Sequence, residues 1–380
     1  MSEAKIPPLK WLYGGRDVFP AMLNAIRAAR NSVRLETFIF SDDRLGRRFL
    51  DELIRAARRG VNVQVMVDAM GSWLLPDDFF QPLRDAGGHV CRFNPLHLWR
   101  FGVRNHRKLL VCDNRTAFAG GFNIADEYDG DGVADGWCDV GVQVENPVLV
   151  GELTESFDKL FALADFHHKP LWRLRALKHR RKSEVISGGE SILKHPGSPP
   201  GRFQKALHHD LARAREVQII SAYFLPTLRL RYALMRAARR GSRVRLILAG
   251  KSDVALAQLA GRSLYHRLLR AGVEIYEYQP QILHAKLIII DSVVYVGSAN
   301  LDVRSLKLNY ELTLRFEDKS NASGAREVFE RTLKHCRRID PVAWQKSQTF
   351  WQLLKYRWAH FLLAQVDPFV ALRQFRAVKN

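Results

Sequence analysis

The feature that most limits how this chain can fold is that it is written twice. The segment His106-Arg107-Lys108, followed by Asp113, Gly120, Gly121 and Asn123, returns as His284-Ala285-Lys286, followed by Asp291, Gly297, Ser298 and Asn300. The match extends outward from there. Ala56-Ala57-Arg58-Arg59-Gly60 recurs as Ala237-Ala238-Arg239-Arg240-Gly241, each time after an amphipathic stretch and before a β-rich run, Val61 to Val67 and Val244 to Leu248. Upstream, Val33 to Phe40 matches Val217 to Phe224 as a strand. The copies lie roughly 180 residues apart, a domain-sized period and not that of a solenoid.

Strand-length apolar runs alternating with amphipathic segments predict α/β units whose sheets are covered by helices. Gly60 and Gly241 are expected to cap helices, because glycine enters the left-handed region without a Cβ clash. The expected architecture is two tandem α/β repeats about a pseudo-twofold axis, sheets flanked by helices, with the site at their junction. Residues 1–166 form the first repeat, 167–201 a basic Gly/Pro-rich linker, 202–340 the second repeat and 341–380 a Trp-rich helical tail. Within the linker, Gly188-Gly189 and Pro196 to Gly201 read as solvated chain. The cluster from Arg173 to Lys182 suits an anion equally well.

Each repeated segment sets an imidazole and an ammonium two residues apart at the head of an apolar run. On a β-strand such residues share a face. Two such strands can therefore oppose one another across a single phosphate. A phosphodiester repels a nucleophile, and its transition state spreads charge over the phosphoryl oxygens. Lys108 and Lys286 are placed to offset that charge, with Asn123, Asn300 and Ser298 as hydrogen-bond donors to phosphate. One imidazole would attack phosphorus while the other moves the proton. Each imidazole needs its second nitrogen held by a carboxylate. Trp137-Cys138-Asp139-Val140 aligns with Asn309-Tyr310-Glu311-Leu312, which makes Asp139 and Glu311 the expected partners.

Asp113 and Asp291 belong to the motif, but they stand where turns should close the strands, so a hairpin or ion-pairing role precedes direct chemistry for them. From Asp113 to Gly120 is seven positions and from Asp291 to Gly297 six, so one hairpin is a residue shorter. No metal and no cofactor is expected, since each lysine would repel a cation beside its histidine. Asp129, Asp131 and Asp135 lack EF-hand spacing and read as a solvated loop.

The formal charge of +20 over 380 residues calls for a polyanionic partner, either nucleic acid or an anionic membrane surface. With 47% hydrophobic residues the chain is expected to be globular. The four cysteines show no CxxC, which favours a reduced compartment, and Cys112 sits in an apolar run as a core residue. Met1 to Gly15 carries no apolar signal core and no apolar run reaches 18 residues, so neither a signal peptide nor a membrane span is expected.

His-x-Lys-x4-Asp followed by Gly-Gly/Ser-x-Asn resembles the signature of the phospholipase D superfamily, present in both copies and supported over most of residues 10–335. His106 to Tyr128 and Leu283 to Glu311 are similar to bacterial cardiolipin synthases of the short type without N-terminal transmembrane helices. Tyr223-Phe224-Leu225-Pro226, Asn300-Leu301-Asp302 and Arg304-Ser305 add to that resemblance. It implies a phosphatidyltransferase in which His106 forms a phosphohistidine and His284 is the general acid and base. A phospholipid would be the donor and phosphatidylglycerol the acceptor, on the cytoplasmic face of the bacterial cell membrane. The motifs alone serve hydrolysis equally, and the charge permits a phosphodiesterase or nuclease acting on DNA or RNA. A basic scaffold with a decayed site is opposed by the intact His, Lys and Asn pairs.

Two segments lean toward lipid. Leu96 to Arg104 mixes Leu98, Trp99 and Phe101 with Arg100 and Arg104. Trp344, Trp351 and Trp358 recur every seven residues, with Phe350, Leu354, Phe361 and Leu362 widening the same helical face and Lys346, Arg357 and His360 at its margins. Such a helix suits a bilayer interface, or equally caps the second repeat. Pro368 is expected to end it before the basic stretch Arg373 to Lys379.

Overall fold

A computed structural model of the chain describes residues 9–94, 103–164, 190–194 and 201–366. The first sheet holds β1 (Lys10–Tyr13), β2 (Ser32–Thr37), β3 (Asn62–Asp68), β4 (His89–Phe93), β5 (Leu109–Cys112), β6 (Thr116–Gly120) and β7 (Val140–Val144), in the order β1-β7-β6-β5-β2-β3-β4. The second holds β8 (Glu190–Lys194), β9 (Glu216–Ser221), β10 (Arg243–Ala249), β11 (Glu274–Tyr278), β12 (Lys286–Ile290), β13 (Val293–Gly297), β14 (Glu311–Glu317) and β15 (Cys336–Arg338). Read from β8, its order is β8-β14-β13-β12-β9-β10-β11-β15, the same path with one added edge strand. The duplication in sequence is thus a duplication of topology. β8 takes the place of β1 and lies inside the stretch expected to be linker; the basic cluster before it falls outside the described residues.

In each sheet three strands run parallel, β2-β3-β4 and β9-β10-β11, and a hairpin adds antiparallel strands beside them. Parallel neighbours need crossovers, supplied by the helices Arg44–Arg58 and Leu228–Arg239. Both end on the expected glycine, at φ 85° for Gly60 and 94° for Gly241. The matching bonds Val61 N–H to Ala56 O and Ser242 N–H to Ala237 O close the two caps.

The sheets face each other, and one apolar cluster runs between them. It joins Met66, Leu109 and Val140 of the first repeat to Ile220, Leu287 and Leu312 of the second, with Phe157 and Phe329 from the helices Pro147–Ala164 and Lys319–Leu333. A separate core lies under the outer helices of each repeat. Cys112 is buried in the first of these, and burial pushes its thiol up to about 12, consistent with a core residue.

The expected C-terminal helix is two. Pro341–Ser347 and Phe350–Phe361 are separated at Gln348-Thr349, where Thr349 and Gln352 form a capping box that starts the second helix afresh. Trp344 therefore leaves the shared face and packs on Tyr265 and Tyr356, whereas Trp351 and Trp358 stay 69% and 59% exposed. His360 turns inward to Ser263. Pro368 and the basic stretch after it lie outside the described residues. Among the described residues no helix is long and apolar enough to cross a membrane.

Candidate active site

Neither histidine sits within its ladder, as a strand reading would have it. β5 begins at Leu109 and β12 at Lys286, so both histidines precede their strands. They are extended nonetheless, because each is bonded to the other repeat. His106 N–H donates to Tyr310 O at 2.9 Å, and His284 N–H donates to Cys138 O at 2.7 Å. Isolated bridges Asn105–Tyr310 and Cys138–Leu283 complete the exchange. Alternation survives, so each histidine and its lysine share one face while the residue between them points inward.

The crossing pairs each imidazole with the opposite repeat's carboxylate. His106 Nδ1 lies 3.0 Å from Glu311 Oε2, and His284 Nδ1 lies 2.6 Å from Asp139 Oδ2. Both carboxylates are fully buried. Each bond directs Nε2 of its ring away from the carboxylate and fixes the tautomer. Neither half is complete without the other.

Local sequence explains how the carboxylates fit. At Gly121 an added Cβ would stand 2.2 Å from Asp139 Oδ1, so only glycine leaves room for that side chain. The equivalent position in the second repeat is Ser298, whose hydroxyl donates to Glu311 Oε2 at 2.5 Å. Asp139 Oδ1 accepts instead from its neighbour's Val140 N–H at 2.8 Å. His106 packs edge-on against Phe38 at 5.2 Å, and His284 against Tyr128 at 5.1 Å and Trp137 at 5.6 Å.

The electrostatics follow from burial. Lys108 is brought down to about 7 by burial and by Lys286, and Lys286 to about 8 by burial against the pull of Asp139 and Glu311. Burial, then Lys286, Lys108 and His106, press His284 well below its ordinary value. His106 is lowered by burial, which outweighs Glu311. Burial raises Asp139 to about 7, whereas His106, Lys108 and Ser298 overcome burial to hold Glu311 below the usual carboxylate range. Lys108 Nζ donates to His106 O at 2.7 Å. Lys286 Nζ lies 2.8 Å from His284 Nδ1 and 3.0 Å from Nε2; since Nδ1–H is committed to Asp139, Nε2 is the acceptor. Lys286 also donates to His284 O, so each ammonium rests on the carbonyl of its own histidine.

Asn123 is buried, its amide donating to Tyr128 OH at 2.7 Å and accepting from Ile39 N–H at 3.1 Å. Asn300 is buried at the matching place with its amide oxygen unpartnered. The shorter hairpin does not shift it. The extra residue is taken up in the turn, Asp113-Asn114-Arg115 against Asp291-Ser292, and the bridges Phe40–Ile124 and Phe224–Leu301 remain equivalent.

Asp113 and Asp291 stand apart from the imidazoles, at the far ends of β5 and β12. Asp113 accepts from Arg30, Asn31 and Ser32 N–H at 2.7–2.9 Å, and Asp291 from Arg215 and Glu216 N–H at 2.9–3.2 Å. Both adopt positive φ, 53° and 50°. Their part is to pin each hairpin to the start of the neighbouring strand. The Asp129–Asp135 loop is held by arginines, Arg16 to Asp131 and Asp135 and Arg44 to Asp129. Among the described residues no cluster of His, Cys, Asp and Glu could hold a metal ion. Arg104, read from sequence as lipid-facing, is buried against Asp68 at 3.3 Å; residues 95–102 lie outside the described residues.

The family described as "Cardiolipin synthase, PLD-like domain" matches residues 22–161 and 207–333, one match per repeat. The chain belongs to this family. It is 30% identical to a probable cardiolipin synthase of Bacillus subtilis (YwiE), over 89% of this chain and 68% of that protein. It is 33% identical to cardiolipin synthase B of Salmonella typhimurium, over 93% and 87%. The phosphatidylserine synthase of Haemophilus influenzae shares the fold, with a TM-score of 0.77 at 14% identity over 96% of this chain and 95% of that one.

Beneath the phospholipase D-like motif of the first repeat lies a polar layer that the motif itself does not contain. Asn105 Nδ2 donates to Glu36 Oε1 at 2.7 Å, Arg107 pairs with Glu36 Oε2 at 3.0 Å, and Asn105 N–H donates to Asp68 Oδ2 at 2.8 Å. The sequence did carry a signal for it: Glu36 and Asp68 stand where the other copy has Ile220 and Ala249.

Proposed function

We propose that this chain is a phosphatidyltransferase that makes cardiolipin by moving a phosphatidyl group onto phosphatidylglycerol through a phosphohistidine. The observation that carries this reading is the exchange of carboxylates between repeats, two imidazoles and two ammoniums converging in a chain of the cardiolipin synthase family. His106 Nε2 attacks phosphorus and the P–O bond to the donor's head alcohol breaks. The leaving alkoxide takes a proton from His284. In the second step His284 removes the proton of the acceptor hydroxyl, whose oxygen displaces His106. The anionic substrate would draw Lys108 and Lys286 onto its oxygens and raise His284 toward the protonated form that the first step needs.

Lipid as the substrate is supported by the surroundings. The turn after β3 exposes Met70, Trp73 and Leu74, and its Gly71 packs on Phe38, which touches His106. The helix Phe350–Phe361 exposes Phe350, Trp351, Trp358 and Phe361 and would lie in the interface of an anionic leaflet, which supports peripheral attachment, on the cytoplasmic face in this reading.

The test is incubation with labelled phosphatidylglycerol, with and without phosphatidylethanolamine, and separately with single-stranded DNA. Cardiolipin should form and should vanish in His106→Ala and in His284→Ala. Cleavage of DNA without any lipid product would refute the proposal.

A further inference from the structure

The repeats agree in topology, yet the seats of their histidines differ in kind. Pairing of Leu109 with Glu36 in the first sheet corresponds to pairing of Leu287 with Ile220 in the second, so Ile220 occupies the position of Glu36. By the same registers Ala249 stands for Asp68, Leu283 for Asn105 and Ala285 for Arg107. All eight are buried. Under His284 the bed is apolar. Under His106 it is polar: Asn105 Nδ2 donates to Glu36, Asn105 N–H and Arg104 donate to Asp68, and Arg107 adds an ion pair with Glu36. Asp68 also accepts from Met70 and Gly71 N–H at 2.9 and 3.1 Å, which ties the turn beside Phe38 to the same network.

Replacing four apolar core residues by two carboxylates, an amide and a guanidinium gives no stability that well-packed aliphatic side chains would not match. It gives direction. Hydrogen bonds resist sliding and rotation of the segment they hold, whereas apolar contacts are non-directional. A nucleophile needs that constraint, since misplacement by about 1 Å costs on the order of 10²-fold in rate. The proton carrier is held instead by its bond to Asp139, over an apolar bed.

We propose that Glu36, Asp68, Asn105 and Arg107, with Arg104, are positioning residues that make His106, and not its twin His284, the nucleophile. This rests on the two-step transfer proposed above, so the experiment separates the two ideas. The probe is a phosphatidyl ester of p-nitrophenol. The bond from His106 Nε2 to phosphorus forms, the bond to the aryl oxygen breaks, and nitrophenolate leaves with the electron pair and needs no proton. The burst of nitrophenolate therefore reports the nucleophile alone.

In the full chain, His284→Ala should keep the burst and His106→Ala should lose it. Glu36→Gln, and the double variant Glu36→Ile with Arg107→Ala that copies the second repeat, should slow the burst by about 10²-fold per folded molecule with KM unchanged. Arg107→Lys should restore part of the rate. A purely structural role would lower the unfolding midpoint and leave the burst of the folded fraction intact. Should the double variant not fold, Glu36→Gln, of nearly equal volume, decides. A wild-type burst in Glu36→Gln overturns the positioning proposal alone. A burst that survives His106→Ala but not His284→Ala overturns the assignment of the nucleophile instead.

Discussion

Substituting Gly121 by alanine puts one methyl group where the structure has no space for it. The new Cβ would lie 2.2 Å from Asp139 Oδ1, 2.6 Å from Oδ2 and 2.7 Å from Cγ. A carbon–oxygen contact settles at roughly 3.3 Å or more, so the carboxylate must retreat by about 1 Å. Asp139 is fully buried, with one oxygen on Val140 N–H and the other 2.6 Å from His284, so it cannot retreat without stretching a bond. Stretching the second releases the ring proposed to handle both protons. A shift of that size costs on the order of 10²-fold in kcat, and the overpacking about 1–3 kcal/mol of stability. Steady-state cardiolipin synthesis with a parallel thermal melt reads both quantities. Gly121→Ser should fare no better, although serine stands at the equivalent position 298, because the clash begins at Cβ. A Gly121→Ala enzyme with wild-type kcat would refute the claim that Asp139 works through its bond to His284.

Three further outcomes are expected. With Lys108 at about 7 and Lys286 at about 8, kcat/KM should fall as pH rises through 7 to 8 and the free enzyme loses its ammoniums; a profile flat to pH 10 would contradict this. Asp113→Ala should lower stability by about 1 kcal/mol while sparing kcat, since the side chain caps backbone N–H groups far from the imidazoles. Its carboxyl is held below the ordinary value by Ser32, Arg30 and Asn31 N–H against burial. That contribution is present above the unfolded carboxyl range and disappears as pH falls through the lowered value, so a kcat loss in this variant would contradict the assignment. Trp351→Ser with Trp358→Ser should weaken sedimentation with phosphatidylglycerol vesicles by tenfold or more, on roughly 1.5–3 kcal/mol per buried aromatic, and unchanged binding would rule out the interfacial helix.

Much of the architecture was legible because duplication is written at several points: matched glycine caps, matched strands and matched motifs. The identity of the two carboxylates was legible too, since Asp139 and Glu311 align. Their exchange between repeats was not, because alignment says which residues correspond and nothing about which halves meet. The strand reading of His-x-Lys missed by two or three residues for the same reason: the bonds that extend these segments come from the opposite repeat. Strand ends were overrun likewise, with β2 stopping at Thr37 and β9 at Ser221 where Phe40 and Phe224 were expected. In the tail a seven-residue tryptophan spacing suggested one face, but Thr349 and Gln352 cap a new helix inside that spacing. The layer of Glu36, Asp68, Asn105 and Arg107 escaped because attention to what the repeats share passes over what they do not.

The claim at the centre of this account is one site built from both repeats, with the covalent bond on His106. Acid-free quenching of the enzyme with a phosphatidyl donor, followed by mass analysis of its peptides, tests it most directly. The account predicts a phosphatidyl adduct on the peptide that carries His106, accumulating when acceptor is withheld and discharged as cardiolipin when phosphatidylglycerol is added. An adduct on His284, or cardiolipin formed at full rate by an enzyme lacking His106, would contradict it.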